Sequence, residues 1–486
     1  MQLTLREYIA GVRGGSLDPA TVFAHYYQKA VEAPFQDVYI TLCQDYATER
    51  VSEYTPRTLA GAPIAVKDLI LTKGVRTTCG SRMLDNYIPP YSATCFERLE
   101  AHGGVLIGKT NMDEFAMGAS NETSWYGPVH NPWDATKVAG GSSWGSAAAV
   151  AGDLCIAALG TDTWGSVRQP AALCGAVGVK PTYGRVSRYG VQPMANSLDQ
   201  VGVITKTVED AALLLGTLSG YDPQDATSLP DSDVSSWLKA CASSSLTNKR
   251  FAIPKQFFAE GLDPAIAQMC KDMFVQLTHA GATVDRVDIP EFSYGIAAYY
   301  IINPAEVSTN LAKFDGIRFG LHKPIDQYPS LNEYYTAVRS EGFGEEAQRR
   351  ILIGAYVLSA GHYDAYYRRA LLVKNKIKQR FTQLFKDYDA VLWPTSPTVA
   401  WDIGAKVDDP IAMYLADIYT VIANLTGMPA MTLPIGRLPQ GQTTLPVGLQ
   451  VMTDTGKEAL MFEVGASLQT LAKDANRRWK PASSTP

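Results

Sequence analysis

The chain has 486 residues, of which 46% are hydrophobic and 19% charged, with a formal charge of −5. Those proportions belong to an ordinary globular chain long enough to bury a large core. They give no basic footprint for gripping nucleic acid, and the longest apolar stretch, around 147–160, is broken by Asp153 and falls short of the ~20 residues that cross a bilayer.

The first ten residues alternate polar and apolar without a signal or transit pattern, so the mature chain is expected to begin there. Apolar residues at helical spacing from Leu3 to Ala33 predict two helices, the second capped by Ser16 or Asp18 before Pro19. Ala62 to Val66 reads as a strand, Ala93 to His102 as a helix closed by Gly103 and Gly104, and Val105 to Gly108 as a buried strand. From Ser219 to Lys249 the composition turns to Ser, Asp and Pro, a surface excursion with a weak helix at most. Phe251 to Pro254, Pro264 to Ala280 and Thr283 to Ile289 form a β-α-β-like run, and one long helix is expected from Tyr363 to Asp387. This alternation implies an α/β protein with covered strands, and length alone allows about three domains at ~150 residues each.

Seven cysteines, Cys43, Cys79, Cys95, Cys155, Cys174, Cys241 and Cys270, stand singly without a C-x-x-C pair. They read as buried small hydrophobes in a reducing cytoplasm.

Three stretches carry chemistry: Ala62-Pro63-Ile64-Ala65-Val66-Lys67-Asp68, Gly140-Gly141-Ser142-Ser143-Trp144-Gly145-Ser146, and Thr161-Asp162-Thr163-Trp164-Gly165-Ser166-Val167-Arg168-Gln169-Pro170. A lysine at the end of a buried strand is costly when charged, so its pKa falls and it becomes a base. Glycines beside serines let backbone amides turn toward a ligand and stabilise an oxyanion. Each has a plainer reading, a turn or a solvated lysine. Gly141-Ser142-Ser143-Trp144-Gly145 also fits G-x-S-x-G, but no strand is read before it and His279, His322 and His362 have no triad context. No metal-binding motif and no nucleotide-binding loop is read.

Taken together the three stretches resemble the amidase signature family over nearly the whole chain. Flanking runs, 108–118, 180–190 and 310–320, are similar to those of the A subunits of tRNA-dependent amidotransferases. The resemblance implies one amidase domain over 1–486, with a central mixed twisted β-sheet covered by α-helices on both faces. Its parts would be a helical layer to about 60, a signature core at 61–218, the excursion at 219–249 and a substrate-binding part from 250. It further implies that Ser166 is the nucleophile, Ser142 a bridging serine on a cis peptide and Lys67 the base, with amides of Thr163, Trp164, Gly165 and Ser166 holding the oxyanion. Glutamine would be the substrate, its carboxylate on Arg350 and its amine on Asp417, with Tyr300 as a third contact. Ammonia would pass to a B subunit that handles tRNA, ATP and Mg²⁺, with a C subunit completing a cytoplasmic heterotrimer; no cofactor is expected in this chain. Glu-tRNA(Gln) and Asp-tRNA(Asn) both remain open as acceptors.

Trp144 and Trp164 depart from that pattern, which has glycine at both places, and Trp393 stands where relatives often have glycine. An indole adds bulk beside the serines and resists positive φ. Three readings remain: an active enzyme that accommodates the rings, a silent scaffold subunit, or glycines encoded by a reassigned UGA codon and rendered as tryptophan.

Overall fold

Strand signals from both halves of the chain converge on one sheet. In the computed structural model, which describes residues 2–33, 37–120, 122–230, 233–243, 245–258, 261–405 and 418–472, the strands are β1 Tyr39–Leu42, β2 Ala62–Lys67, β3 Gly104–Thr110, β4 His130–Asn131, β5 Asp134–Val138, β6 Ala157–Asp162, β7 Val177–Lys180, β8 Gln200–Thr205, β9 Arg250–Pro254, β10 Thr283–Val287, β11 Ala390–Pro394, β12 Ala430–Gln440 and β13 Thr443–Met452. Eleven of them form a mixed sheet in the order β1-β3-β2-β6-β8-β7-β12-β13-β11-β9-β10, while β4 and β5 pair separately. Alternate side chains of a strand face opposite sides. Because β2, β3, β6, β8 and β11 are buried at every position, both faces of the sheet are covered.

The two N-terminal helices run Leu5–Arg13 and Pro19–Val31, and Asp18 caps the second through the Thr21 amide. The excursion carries a short helix, Ser235–Ala242, whose Trp237 and Cys241 are buried. The expected helix at 363–387 divides: Tyr363–Arg368 winds as a π-helix and an α-helix follows over Arg369–Leu384. Tyr363 lies beside Tyr367, with ring centroids 5.4 Å apart. All seven cysteines are free and buried. No helix among the described residues is long and apolar enough to cross a membrane.

Four helices frame the candidate site: α1 Trp144–Ala151, α2 Arg168–Cys174, α3 Gly295–Leu311 and α4 Glu345–Leu358. β2 ends at the site with Lys67, and β6 ends there with Asp162.

Candidate active site

Lys67 is fully buried at the end of β2 and its amine meets three hydroxyl oxygens: Ser142 Oγ at 2.8 Å, Ser143 Oγ at 2.9 Å and Thr161 Oγ1 at 2.9 Å. Three oxygens suit an ammonium, which has three donors. Burial disfavours the charge and pushes the lysine pKa down to about 7, against the opposing pull of Asp113, Asp162 and Asp199. A neutral amine with a lone pair is therefore accessible near neutrality. Ser143 and Thr161 join the site as lysine partners that sequence reasoning misses. Their signal lies in the second serine of the Gly-Ser-Ser run and the first threonine of Thr-Asp-Thr.

Ser142 follows a cis peptide bond from Gly141. Only glycine fits at 141, since a Cβ would stand 2.5 Å from Asp113 Oδ2 and 2.7 Å from the Ala119 backbone. Asp113 is itself buried, and that burial raises its carboxyl to about 7. Its Oδ1 accepts from Thr123 Oγ1 at 2.9 Å, while Oδ2 has no hydrogen-bond partner.

The loop from β6 to α2 carries Ser166. The Ser143 amide donates to the Ser166 carbonyl at 3.0 Å, which fixes Ser166 beside the serine pair. Its Oγ is buried and has no hydrogen-bond partner, so the Ser142 to Ser166 contact of the expected relay is not formed here.

Asp162 holds the loop from beneath. Its Oδ1 accepts from the Gly165 amide at 2.9 Å and its Oδ2 from the Val167 amide at 3.2 Å. This corrects the expectation for Gly165, whose N–H already points at a carboxylate. Arg168 pairs with Asp162 through Nε to Oδ2 at 3.0 Å and Nη2 to Oδ1 at 2.9 Å. The same guanidinium reaches the Thr420 carbonyl at 3.0 Å and Asn424 Oδ1 at 2.7 Å, and also donates to Gln450 Oε1. Its partners hold the Asp162 carboxyl below the usual carboxylate range despite burial. Thr163 Oγ1 donates to Asp199 Oδ1 at 2.7 Å.

Arg350 is 2% exposed, which rules out a solvated helix face. Its Nε donates to Glu346 Oε1 at 2.7 Å and its Nη1 to Asn303 Oδ1 at 2.9 Å. Trp164 stands against it, with the guanidinium carbon 4.4 Å from the ring centroid. Tyr299 meets the indole edge-on at 4.7 Å, and Tyr300 lies tilted at 6.4 Å. Tyr299, which also accepts from Arg350 at 3.5 Å, is thus a nearer neighbour than the expected Tyr300. Asp417 lies outside the described residues. Neither Trp144 nor Trp164 has a positive φ; Gly165, at +132°, takes that conformation. The backbone thus makes no demand for glycine at either tryptophan.

Two alternative chemistries fail on geometry. Ser143 donates to the Thr161 carbonyl at 2.9 Å, and the strand that does precede it, β5, lies outside the main sheet, so no nucleophile elbow is built. Gly103 to Thr110 has the G-x-x-x-x-G-K-T spacing of a phosphate loop, which the motif reading does not register. The structure makes nearly all of it β3, whose Lys109 amine is 3.4 Å from Asp68 Oδ1. Among the described residues no group of three or more His, Cys, Asp or Glu is placed to hold a metal ion.

The model of the Amidase family matches residues 25–462. This chain belongs to the amidase family. Among its amidase relatives, the A subunit of the glutamyl-tRNA(Gln) amidotransferase of Saccharophagus degradans is 47% identical over 96% of this chain and 97% of its own length. The A subunit of the same name from Syntrophus aciditrophicus is 44% identical over 98% and 99%. In three dimensions this amidase is similar to the A subunit of the Thermotoga maritima glutamyl-tRNA(Gln) amidotransferase, with a TM-score of 0.75 and 37% identity over 96% of this chain and 93% of that one. It is also similar to a peptide amidase from Stenotrophomonas maltophilia, with a TM-score of 0.83 and 26% identity over 100% and 99%.

Proposed function

We propose that the chain is the glutamine-hydrolysing subunit of a tRNA-dependent amidotransferase, and that its ammonia converts Glu-tRNA(Gln) to Gln-tRNA(Gln) in a partner subunit. The observation that carries the chemistry is the buried Lys67 amine 2.8 Å from Ser142 Oγ, one peptide from the Ser143 amide that binds Ser166. Full-length similarity to A subunits supports the choice of substrate.

In this reading neutral Lys67 accepts the Ser142 proton while Ser142 accepts that of Ser166. Rotation of the Ser166 side chain closes this last link. Its oxygen attacks the glutamine side-chain carbonyl, and the resulting oxyanion is met by amides of Thr163, Trp164 and Ser166. Collapse breaks the C–N bond, and the relay returns its proton to the departing ammonia. Water, deprotonated along the same relay, then cleaves the acyl-enzyme to glutamate. Arg350 takes the substrate carboxylate, Asp417 its ammonium and Tyr300 a third contact. The B subunit holds tRNA, ATP and Mg²⁺, and the C subunit joins both.

Ammonia release from glutamine by the full chain purified from its own cells, alone and with its B and C subunits, tests the reading. Activity that rises with partners is expected, and Ser166→Ala removes it while ammonia-driven transamidation persists. Full turnover of other amides without partners would make the chain a stand-alone amidase. No activity in any mixture would leave a scaffold.

A further inference from the structure

We propose that the indole of Trp164 fills the cavity in which substrate must lie, and that the catalytically competent chain carries glycine at position 164. The inference rests on the glutaminase reading above.

The indole lies on the guanidinium to which the proposed substrate carboxylate binds. It is two residues from the Ser166 nucleophile, and its ring lies on the Arg350 guanidinium at 4.4 Å. Tyr299 and Tyr300 enclose it at 4.7 and 6.4 Å. An amino-acid substrate bound through its carboxylate to Arg350 must pass through that volume to present its amide to Ser166. An aromatic side chain buries roughly 150–250 Å², a footprint comparable with glutamine itself. Ser166, Trp164 and Arg350 are 0%, 1% and 2% exposed, so all three are closed to solvent.

The polar end of the ring is left unmatched. Trp164 Nε1 is buried without an acceptor, and so is Trp144 Nε1 at the other Gly-Ser loop. A buried donor left unpaired costs about 1–3 kcal/mol, so indole N–H groups ordinarily find partners. At two other positions they do: Trp133 Nε1 donates to the Cys174 carbonyl at 2.8 Å and Trp393 Nε1 to the Tyr419 carbonyl at 2.6 Å. Trp393 is further stacked on Phe257 at 4.7 Å and so makes no case for glycine. Trp144 and Trp164 belong to the two Gly-Ser loops of the site. Removing the Trp164 side chain would open Arg350 and the two tyrosines onto one cavity facing Ser166. A UGA codon read as glycine in the cell accounts for a tryptophan rendered at such a place.

Calorimetric titration of L-glutamine into full-length Ser166→Ala and Ser166→Ala/Trp164→Gly chains tests the steric claim without turnover. The expected result is binding at least about 100-fold tighter in the double variant, the scale on which the fit of a group to its pocket changes recognition. Equal binding by both would overturn the proposal and leave the glutaminase reading standing. Binding by neither would sink that reading and this proposal with it. Position 164 is read directly from protein purified from its own cells, because one tryptic peptide, Val138 to Arg168, contains both Trp144 and Trp164. A mass with glycine at 164 is expected; tryptophan there would overturn the assignment.

Discussion

Lys67 and Lys109 stand on neighbouring parallel strands, yet only Lys109 has a carboxylate against its amine, Asp68 at 3.4 Å, where Lys67 meets hydroxyls. Val66, not Lys67, is the register partner of Lys109, so the two amines leave opposite faces of the sheet. One lysine is tied into a structural ion pair, and the other, which we propose as the base, has only hydroxyl partners.

The base must be neutral to accept a proton, so glutamine hydrolysis is expected to fall as pH drops through about 7, the value to which burial lowers Lys67. A kcat profile from acid to neutral pH checks this. A rate independent of pH across that interval would remove Lys67 from the role of base.

Asp113 sits in the same pocket and its charge favours the protonated lysine, opposing burial. Asp113→Asn removes that pull, so the acid limb should move to lower pH, with the amine neutral over a wider range. A limb that moves upward would contradict this coupling; a merely structural role for Asp113 would lower the rate without moving the limb.

Arg168→Met strands the Asp162 carboxylate in a fully buried setting. Removal of one partner from such a pair costs about 3–5 kcal/mol, to be read as a fall in the urea midpoint. Asp162→Asn added to Arg168→Met should recover part of that loss, since the orphaned charge is gone.

Arg350→Gln keeps a donor but loses the charge that the substrate carboxylate requires. A charged hydrogen bond contributes about 1.5–3 kcal/mol, so KM for glutamine should rise by about 10- to 100-fold with a smaller change in kcat. An unchanged KM would assign Arg350 to helix packing with Glu346 alone.

How much of this is legible in the sequence depends on how local the cause is. Lys67 draws attention because a lysine ending an apolar run is anomalous by itself, whereas glycines mark the Gly-Ser loops but only the resemblance to amidases singles out Ser142 and Ser166 within them. The Arg350 environment cannot, since its burial comes from α4 lying against α3, where a Cβ on Gly354 would stand 1.9 Å from the Pro304 carbonyl oxygen. Nor can the clamp on Asp162, whose Asn424 and Gln450 come from far along the chain and have no spacing to betray them. The Gly103 to Thr110 run shows the converse: its pattern fits a phosphate loop, but ladder pairing with β2 turns it into a strand. The π-turn at Tyr363–Arg368 escapes because helical periodicity barely registers one wider turn.

The grip of Arg168 on Asn424 and Gln450 sets an order of events during synthesis. Every serine and lysine of the proposed reaction leaves the ribosome in the first part of translation, as does Asp162 beneath the loop of Ser166, yet the side chains that hold Arg168 against Asp162 emerge close to the end. A nascent chain therefore holds all the proposed reactive groups long before Arg168 has its full set of partners.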